Sequence, residues 1–153
     1  MEQDKSKETP QEVQYGKEDV KEFFRSILGN RPFEKVYSFL DDKLQITFRT
    51  LTTKQTNVLS TSIKKFFNDS EEDSKESDIE ASIQTRLCFY ISSITIDGVE
   101  HPYSIPDAII DVKEEYNRRF GDFQDPVMFP AVKALMHFQG LVSYAQGEMA
   151  GNF

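Results

Sequence analysis

Apolar side chains recur at helical spacing in two stretches of the first half of the chain. One stripe spans residues 20–28 and is followed by residues 29–30 (GN), a pair that favours a left-handed residue and the end of a helix. The other stripe spans residues 58–67, and residues 52–55 (TTKQ) before it have the Thr-x-x-Gln spacing of a capping box. The pattern predicts one helix over residues 20–28 and a second that begins at Thr52.

Between these helices the pattern changes to alternation. Phe33, Lys35, Tyr37 and Phe39 alternate with Glu34, Val36, Ser38 and Leu40, so three of the four odd positions are aromatic. Apolar residues alternate with polar ones along residues 44–49. A polar turn, residues 41–43 (DDK), separates the two runs. This period-two patterning predicts an antiparallel β-hairpin. An isolated hairpin is marginally stable in water, so we expect it to pack on helices or on the sheet of another chain.

A third helix is predicted after a second capping-box spacing at residues 77–80 (SDIE). Its apolar stripe continues at helical spacing to Ile94. The end of this stretch, residues 91–96 (ISSITI), is rich in β-branched residues, so a switch to a strand is an alternative. Residues 97–98 (DG) then mark a turn.

Two further helices are predicted towards the end of the chain. Residues 101–102 (HP) are expected to open a loop, and Ser104 to cap the fourth helix. The fifth is expected to start near residues 125–126 (DP), with a later start or a bend at Pro130 as alternatives. Apolar residues cover more than one face of it between residues 132 and 145. Such a helix is buried on both sides, or it buries one side in a partner.

Two segments are polar throughout. Residues 1–17 are interpreted as a flexible N-terminal arm, with ordering on a partner as the alternative. Residues 68–77 are interpreted as an acidic, solvated loop, because residues 69–80 hold seven acidic residues and one lysine. The prediction is therefore a single α+β domain over residues 18–153, mostly helical, with one small antiparallel β-hairpin.

Charge and cysteine content narrow the class of function. The formal net charge of -8 disfavours direct binding to nucleic acid or to an anionic membrane surface. The basic pairs Lys64 with Lys65 and Arg118 with Arg119 are interpreted as solvated helix faces. The single cysteine, Cys88, excludes an intramolecular disulfide and suits a reducing compartment. No secretory signal and no apolar run of about 20 residues is visible, so we expect a cytosolic protein.

No motif for catalysis or metal binding is complete. The two histidines, His101 and His137, share no metal-ligand spacing with Cys88. His137 is expected to be a core or interface histidine and His101 a surface residue, while Cys88, within an apolar run, is expected to be an inert buried thiol. The chain has no nucleophile elbow and no phosphate-binding loop. We expect a non-enzymatic protein without cofactor or metal.

The remaining candidates for function are apolar side chains of the hairpin and the last helix. Aromatic residues crowd a hairpin too small to stand alone, and the last helix is apolar on most sides, which favours coverage by another chain. The candidate partner-binding residues are Phe33, Tyr37, Phe39, Phe48, Leu135, Phe138, Leu141 and Tyr144. The alternative is that the hairpin and the last helix cover each other.

Two segments resemble a known family. Residues 43–67 contain a strand of pattern hydrophobic-x-Phe-Arg-x-Leu-Thr that leads straight into a helix. Residues 86–98 (RLCFYISSITIDG) lead from an apolar helix into Ile-x-Ser-Ile-x-Ile-x-Gly. This order, over residues 36–145, resembles small tail-assembly chaperones and baseplate-hub assembly proteins of contractile-tailed bacteriophages. The arm and the acidic loop have no match in that pattern.

The resemblance implies a non-enzymatic assembly or structural protein that binds other phage tail or baseplate proteins. It implies a place in the host cytoplasm during assembly, or in the tail or baseplate of the virion. Whether it is a transient chaperone or a permanent component stays open, as does homo-oligomerisation. The alternative is a small acidic inhibitor that mimics nucleic acid against a host enzyme. Its carboxylates would have to lie along a rigid face, whereas here they cluster in a serine-rich segment.

Overall fold

The computed structural model of the protein describes residues 15–69 and 75–151. The helices in these residues are α1 (Lys17–Leu28), α2 (Thr53–Asp69), α3 (Lys75–Tyr90), α4 (Val112–Phe120) and α5 (Asp125–Gly151). The strands are β1 (Glu34–Phe39), β2 (Leu44–Arg49), β3 (Ile91–Ile96) and β4 (Val99–Pro102). The predicted α+β, mostly helical class is confirmed. The predicted hairpin is correct, but it is half of a four-stranded sheet.

The two polar segments fall partly outside the described residues, which include neither residues 1–14 nor residues 70–74. Lys17 already belongs to α1, α2 continues to Asp69, and α3 has begun by Lys75. Parts of the predicted arm and of the predicted acidic loop are therefore helical. Ser77 lies inside α3, so the second predicted capping box does not mark the start of this helix.

The sheet is an antiparallel meander in the order β1-β2-β3-β4. Tyr37 pairs with Ile46, Ile46 with Ile94, and Ile94 with His101. The switch to a strand at residues 91–96 is confirmed, and α3 runs into β3 without a connecting residue. The expected loop at residues 101–102 is wrong, since both residues belong to β4. That strand is short, exposed and ends in proline, so it lacks the alternation that marks a strand in sequence.

The end of α1 and the start of α2 carry the local signals that the sequence predicted. The left-handed residue after α1 is Asn30, with φ of 55°. At the start of α2 the Thr52 amide donates to Gln55 Oε1 at 2.9 Å, and the Gln55 amide donates to Thr52 Oγ1 at 3.2 Å. These two hydrogen bonds form a reciprocal capping box, so the first capping-box prediction is confirmed.

The predicted helix cap at Ser104 is wrong. The fourth helix starts at Val112, where the Asp111 carboxylate accepts a hydrogen bond from the Glu114 amide at 3.1 Å. Residues 103–111 form an irregular segment, and two of its carbonyls bond to side chains from other elements. Tyr103 O and Ser104 O accept hydrogen bonds from Arg49 and Arg119, which are provided by β2 and α4.

The core lies between the sheet and α5. The rings of Phe33 and Phe48 stack on Phe138, with centroids 5.9 and 5.6 Å away. α5 begins at Asp125, as the Asp-Pro signal predicted, and contains Pro130 in its first turns. Five of the predicted partner-binding residues are buried within this chain: Phe33, Phe48, Leu135, Phe138 and Leu141. Their assignment to a partner surface is therefore wrong, and the alternative that the hairpin and the last helix cover each other is confirmed.

Candidate functional site

Three of the predicted partner-binding residues remain at least partly accessible. Tyr37 and Phe39 are half-buried on β1, and Tyr144 is exposed on α5. The Tyr37 hydroxyl lies 2.7 Å from His137 Nδ1, so it has a polar partner in this chain. Tyr144 packs on the ring of Tyr15, with centroids 5.4 Å apart. These residues serve contacts within the described chain.

A different apolar surface lies between α3 and α5. It consists of two open hollows, of about 460 and 420 Å³, that meet at Ile79 and Ile83 on α3. The first hollow reaches Tyr116 on α4 and Phe129 near the start of α5. The second reaches Met136 on α5, together with Phe67 at the end of α2. We call this region, with its rim, the α3–α5 surface.

Large apolar side chains are exposed around both hollows. Phe67, Ile79, Phe129 and Met136 are 43%, 61%, 67% and 58% exposed. A single exposed apolar residue needs no explanation, but a contiguous group marks an interaction site. Complete burial of such a side chain contributes about 1.5–3 kcal/mol, and because these four are about half exposed, roughly half of that contribution remains to be gained. The described chain leaves that contribution unused, so this surface is suited to a second macromolecule.

The rim of the α3–α5 surface is mainly acidic. Carboxylates line it at Glu76, Asp78, Glu80 and Asp125, while Arg86 is the one basic residue that lines either hollow among the described residues. Glu80 is paired with Lys113 from α4, with 3.1 Å between Nζ and Oε1. A further basic residue, Lys133, lies beside the surface, with its Nζ 5.4 Å from the centre of the Phe129 ring. Within residues 15–69 and 75–151, the carboxylates of Glu76, Asp78 and Asp125 form no ion pair.

Sequence reasoning did not separate these exposed apolar residues from those of the core. Phe67 and Ile79 fall on apolar stripes, and a stripe does not reveal which of its members lie at the edge of the contact with the next helix. The useful signal was the apolar character of the last helix on more than one face, which includes Met136. That signal predicted partner coverage on α5 but not which residues would supply it.

Two arginines with buried side chains, Arg49 from β2 and Arg119 from α4, bond the carboxyl-terminal end of α3. Arg49 donates from Nη1 to Tyr103 O at 2.7 Å and from Nε to Phe89 O at 3.4 Å. Arg119 donates from Nη1 to Cys88 O at 3.1 Å. Cys88 and Phe89 are among the last residues of α3, whose carbonyls have no partner in the helix. The arginines supply both the hydrogen bonds and the positive charge that this helix end favours.

Electrostatics within this cluster follow from burial and pairing. Burial, followed by the nearby Arg119, lowers the pKa of Arg49 to about 10, so it stays charged at neutral pH. Burial opposes ionisation of Glu115, but hydrogen bonds from Arg118 and Arg119 outweigh it and lower the pKa of that carboxyl. The interpretation of Arg118 and Arg119 as one solvated face is therefore wrong for Arg119, whose side chain is buried. Arg49 Nη2 is buried and has no hydrogen-bond partner among residues 15–69 and 75–151.

The other candidates for chemistry are separated in space or inert. Cys88 is fully buried, and burial raises the pKa of its thiol to about 12, which confirms the expected buried thiol. His101 packs edge-on against Phe123, and His137 packs against Tyr37 and Tyr15. Among residues 15–69 and 75–151, no group of three or more His, Cys, Asp or Glu side chains is placed to hold a metal ion.

In the part of the chain that the structure describes, every helix is too short or too polar to cross a membrane. Comparison with known proteins returned no match, whether against models of protein families, curated proteins or solved structures. The fold and the surface therefore define the chain only as an α+β protein with an open, apolar helical surface.

Proposed function

We propose that this protein is a non-enzymatic assembly or structural factor that acts by binding another protein through the α3–α5 surface. The observation that carries the proposal is the group of exposed apolar side chains around two adjoining hollows, among them Ile79, Phe129 and Met136. Interfaces of this kind use a central apolar cluster surrounded by polar groups. Carboxylates at the rim supply the polar surround.

The partner is proposed to be a subunit of a bacteriophage tail or baseplate. Support for this choice is the resemblance of residues 43–67 and 86–98 to tail-assembly chaperones and baseplate-hub assembly proteins. The structure gives the motif residues structural roles: Phe48 lies in the core, Arg49 bonds the end of α3, and Thr52 caps α2. The motif residues thus serve the fold of this chain, and the proposed identity of the partner rests on the resemblance. The proposed place of action is the host cytoplasm during assembly, or the finished tail.

Co-purification from a phage-infected host tests this function. Tagged wild-type protein is expected to recover tail or baseplate subunits, identified by mass spectrometry. Ile79→Asp should lose them because it places a charge between the two hollows. Val99→Asp is the matched control, because Val99 is 59% exposed, against 61% for Ile79, and lies on β4.

Two outcomes would contradict the proposal. Equal recovery by Ile79→Asp and wild-type protein would show that the α3–α5 surface is not the binding site. Recovery of a host nucleic-acid enzyme instead, lost at high salt, would favour the acidic-inhibitor alternative, since screened charge would then carry the binding.

A further inference from the structure

From the α3–α5 surface we infer that the bound part of the partner is an amphipathic helix with basic residues flanking its apolar face. This inference rests on the proposed function and adds the chemistry of the partner segment. The lining combines apolar side chains with carboxylates at Glu76, Asp78 and Asp125, against Arg86. Glu80 also lines it but is paired with Lys113, and Lys133 lies beside Phe129. A segment that fills the hollows with apolar side chains would place its flanks against these carboxylates.

The dimensions suit a helix of a few turns. The hollows extend along α5 from Asp125 to Gln139, which is about 20 Å at ~1.5 Å per residue. The exposed residues Phe129 and Met136 are seven apart on this helix, so they lie on one side of it. Helix-in-groove recognition uses apolar anchors at such spacings.

The charge distribution selects a basic partner over a second copy of this chain. Glu76 and Asp78, in the first turn of α3, lie one at each hollow. Two copies of this chain repel each other overall, because each carries a net charge of -8. Like charges across an interface disfavour association, whereas opposite charges favour it and increase its rate. A basic segment is therefore favoured over a second copy of this acidic chain.

The test uses the full-length protein and a synthetic probe. The probe is a blocked helical peptide of about 15 leucine and lysine residues, with leucines at i, i+3, i+4 and i+7 spacing. Its counterpart replaces every lysine with glutamate. Affinities are measured by fluorescence anisotropy at low and moderate salt, and the oligomeric state by analytical ultracentrifugation.

We expect the lysine peptide to bind and the glutamate peptide to bind at least about tenfold more weakly, with the difference shrinking as salt increases. The double substitution Glu76→Lys with Asp78→Lys should reverse this preference. Glu100→Lys with Asp107→Lys, a control with the same change in charge at exposed positions of β4 and a loop, should preserve it. Ile79→Asp should abolish binding of the lysine peptide. Circular dichroism and thermal melts verify that each variant is folded.

Three results would overturn the inference. Equal binding of both peptides would show that rim charge does not select the partner. Equal binding of the lysine peptide by both charge-reversed proteins would place it elsewhere on the acidic surface. Self-association that Ile79→Asp removes would identify a second copy as the occupant. If these tests fail while Ile79→Asp still loses tail or baseplate subunits from infected lysate, the partner chemistry is wrong and the proposed function stands.

Discussion

The phenol oxygen of Tyr37 lies 2.7 Å from Nδ1 of His137, which joins the first strand of the sheet to the last helix. Burial raises the pKa of Tyr37, with smaller contributions from Asp19 and Tyr15, so its hydroxyl stays protonated. The tautomer of His137 sets which of the two groups donates in this hydrogen bond. The expectation of a satisfied core or interface histidine at position 137 is confirmed in this contact. Tyr15 packs on the same imidazole, with ring centroids 5.2 Å apart.

Replacement of Tyr37 by Phe is expected to lower the free energy of unfolding by about 1 kcal/mol, because it removes the hydrogen-bond partner of His137 Nδ1. Urea denaturation monitored by circular dichroism measures the change. Tyr144→Phe is the control, since Tyr144 is 45% exposed and its change should be much smaller. Equal midpoints for Tyr37→Phe and wild-type protein would show that the hydrogen bond contributes nothing to stability.

Arg49→Met is expected to destabilise the protein by about 2–3 kcal/mol, since it leaves the carbonyls of Phe89 and Tyr103 without a donor in a buried place. Denaturation in guanidinium chloride measures the loss. Lys64→Met, at an exposed position of α2, removes the same charge and should change the midpoint little. A more stable Arg49→Met protein would mean that burying the charge beside Arg119 costs more than its hydrogen bonds contribute.

Gly140→Ala tests whether Tyr15 is docked on α5. A Cβ at position 140 would overlap the phenol oxygen of Tyr15. In the wild-type background we therefore expect no gain, or a loss, of stability. In a Tyr15→Ala background the same substitution should stabilise by about 1 kcal/mol, because alanine favours a helix interior over glycine. Thermal or chemical denaturation of the wild-type protein, the two single variants and the double variant measures the coupling between the two positions. Equal effects in both backgrounds would show that Tyr15 does not occupy this position.

The buried thiol predicts an alkaline loss of stability. In the folded protein the pKa of Cys88 is raised from its ordinary 9.0 to about 12. The unfolded chain therefore releases its proton first, so the stability is complete below about pH 9 and falls as the pH rises from there towards 12.

The expected decrease in the free energy of unfolding is about 1 kcal/mol between about pH 7 and pH 9.5. In Cys88→Ala the curve should be flatter over this interval, although the variant is less stable overall because its smaller side chain leaves a cavity. If the free energy of unfolding fell equally with pH in Cys88→Ala and in the wild-type protein, the result would contradict a buried, protonated thiol at Cys88. Measurements stop near pH 9.5 because tyrosine ionisation begins to contribute above that value.

The sequence predicted those parts of the fold that depend on neighbours in the chain. The capping box of Thr52 with Gln55 and the alternation of Leu44, Ile46 and Phe48 are local patterns, and the structure confirms both. The fourth helix was predicted, but its start was wrong: it begins at Val112 and not at Ser104. The side chains that bond the segment before it, Arg49 and Arg119, are not its neighbours in the sequence.

The candidate site was predictable only in outline. An aromatic hairpin and an apolar last helix correctly indicated two elements that need partners, but the partners are each other. Ile79 and Phe129 are apolar residues of ordinary helices, and only the packing of α3 against α5 leaves them exposed. Exposure at a junction of helices is a property of the assembled fold, so periodicity along one helix does not report it.

The direct passage from Tyr90 at the end of α3 to Ile91 at the start of β3 has a mechanical consequence. Ile79 and Ile83 sit on a helix that is a covalent extension of an inner strand of the sheet, and buried arginines hold the junction. No loop separates α3 from the sheet, so we expect α3 and β3 to move together as one rigid unit. A preorganised wall loses little entropy when a partner binds, so affinity would come from the fit of the partner rather than from remodelling of this protein.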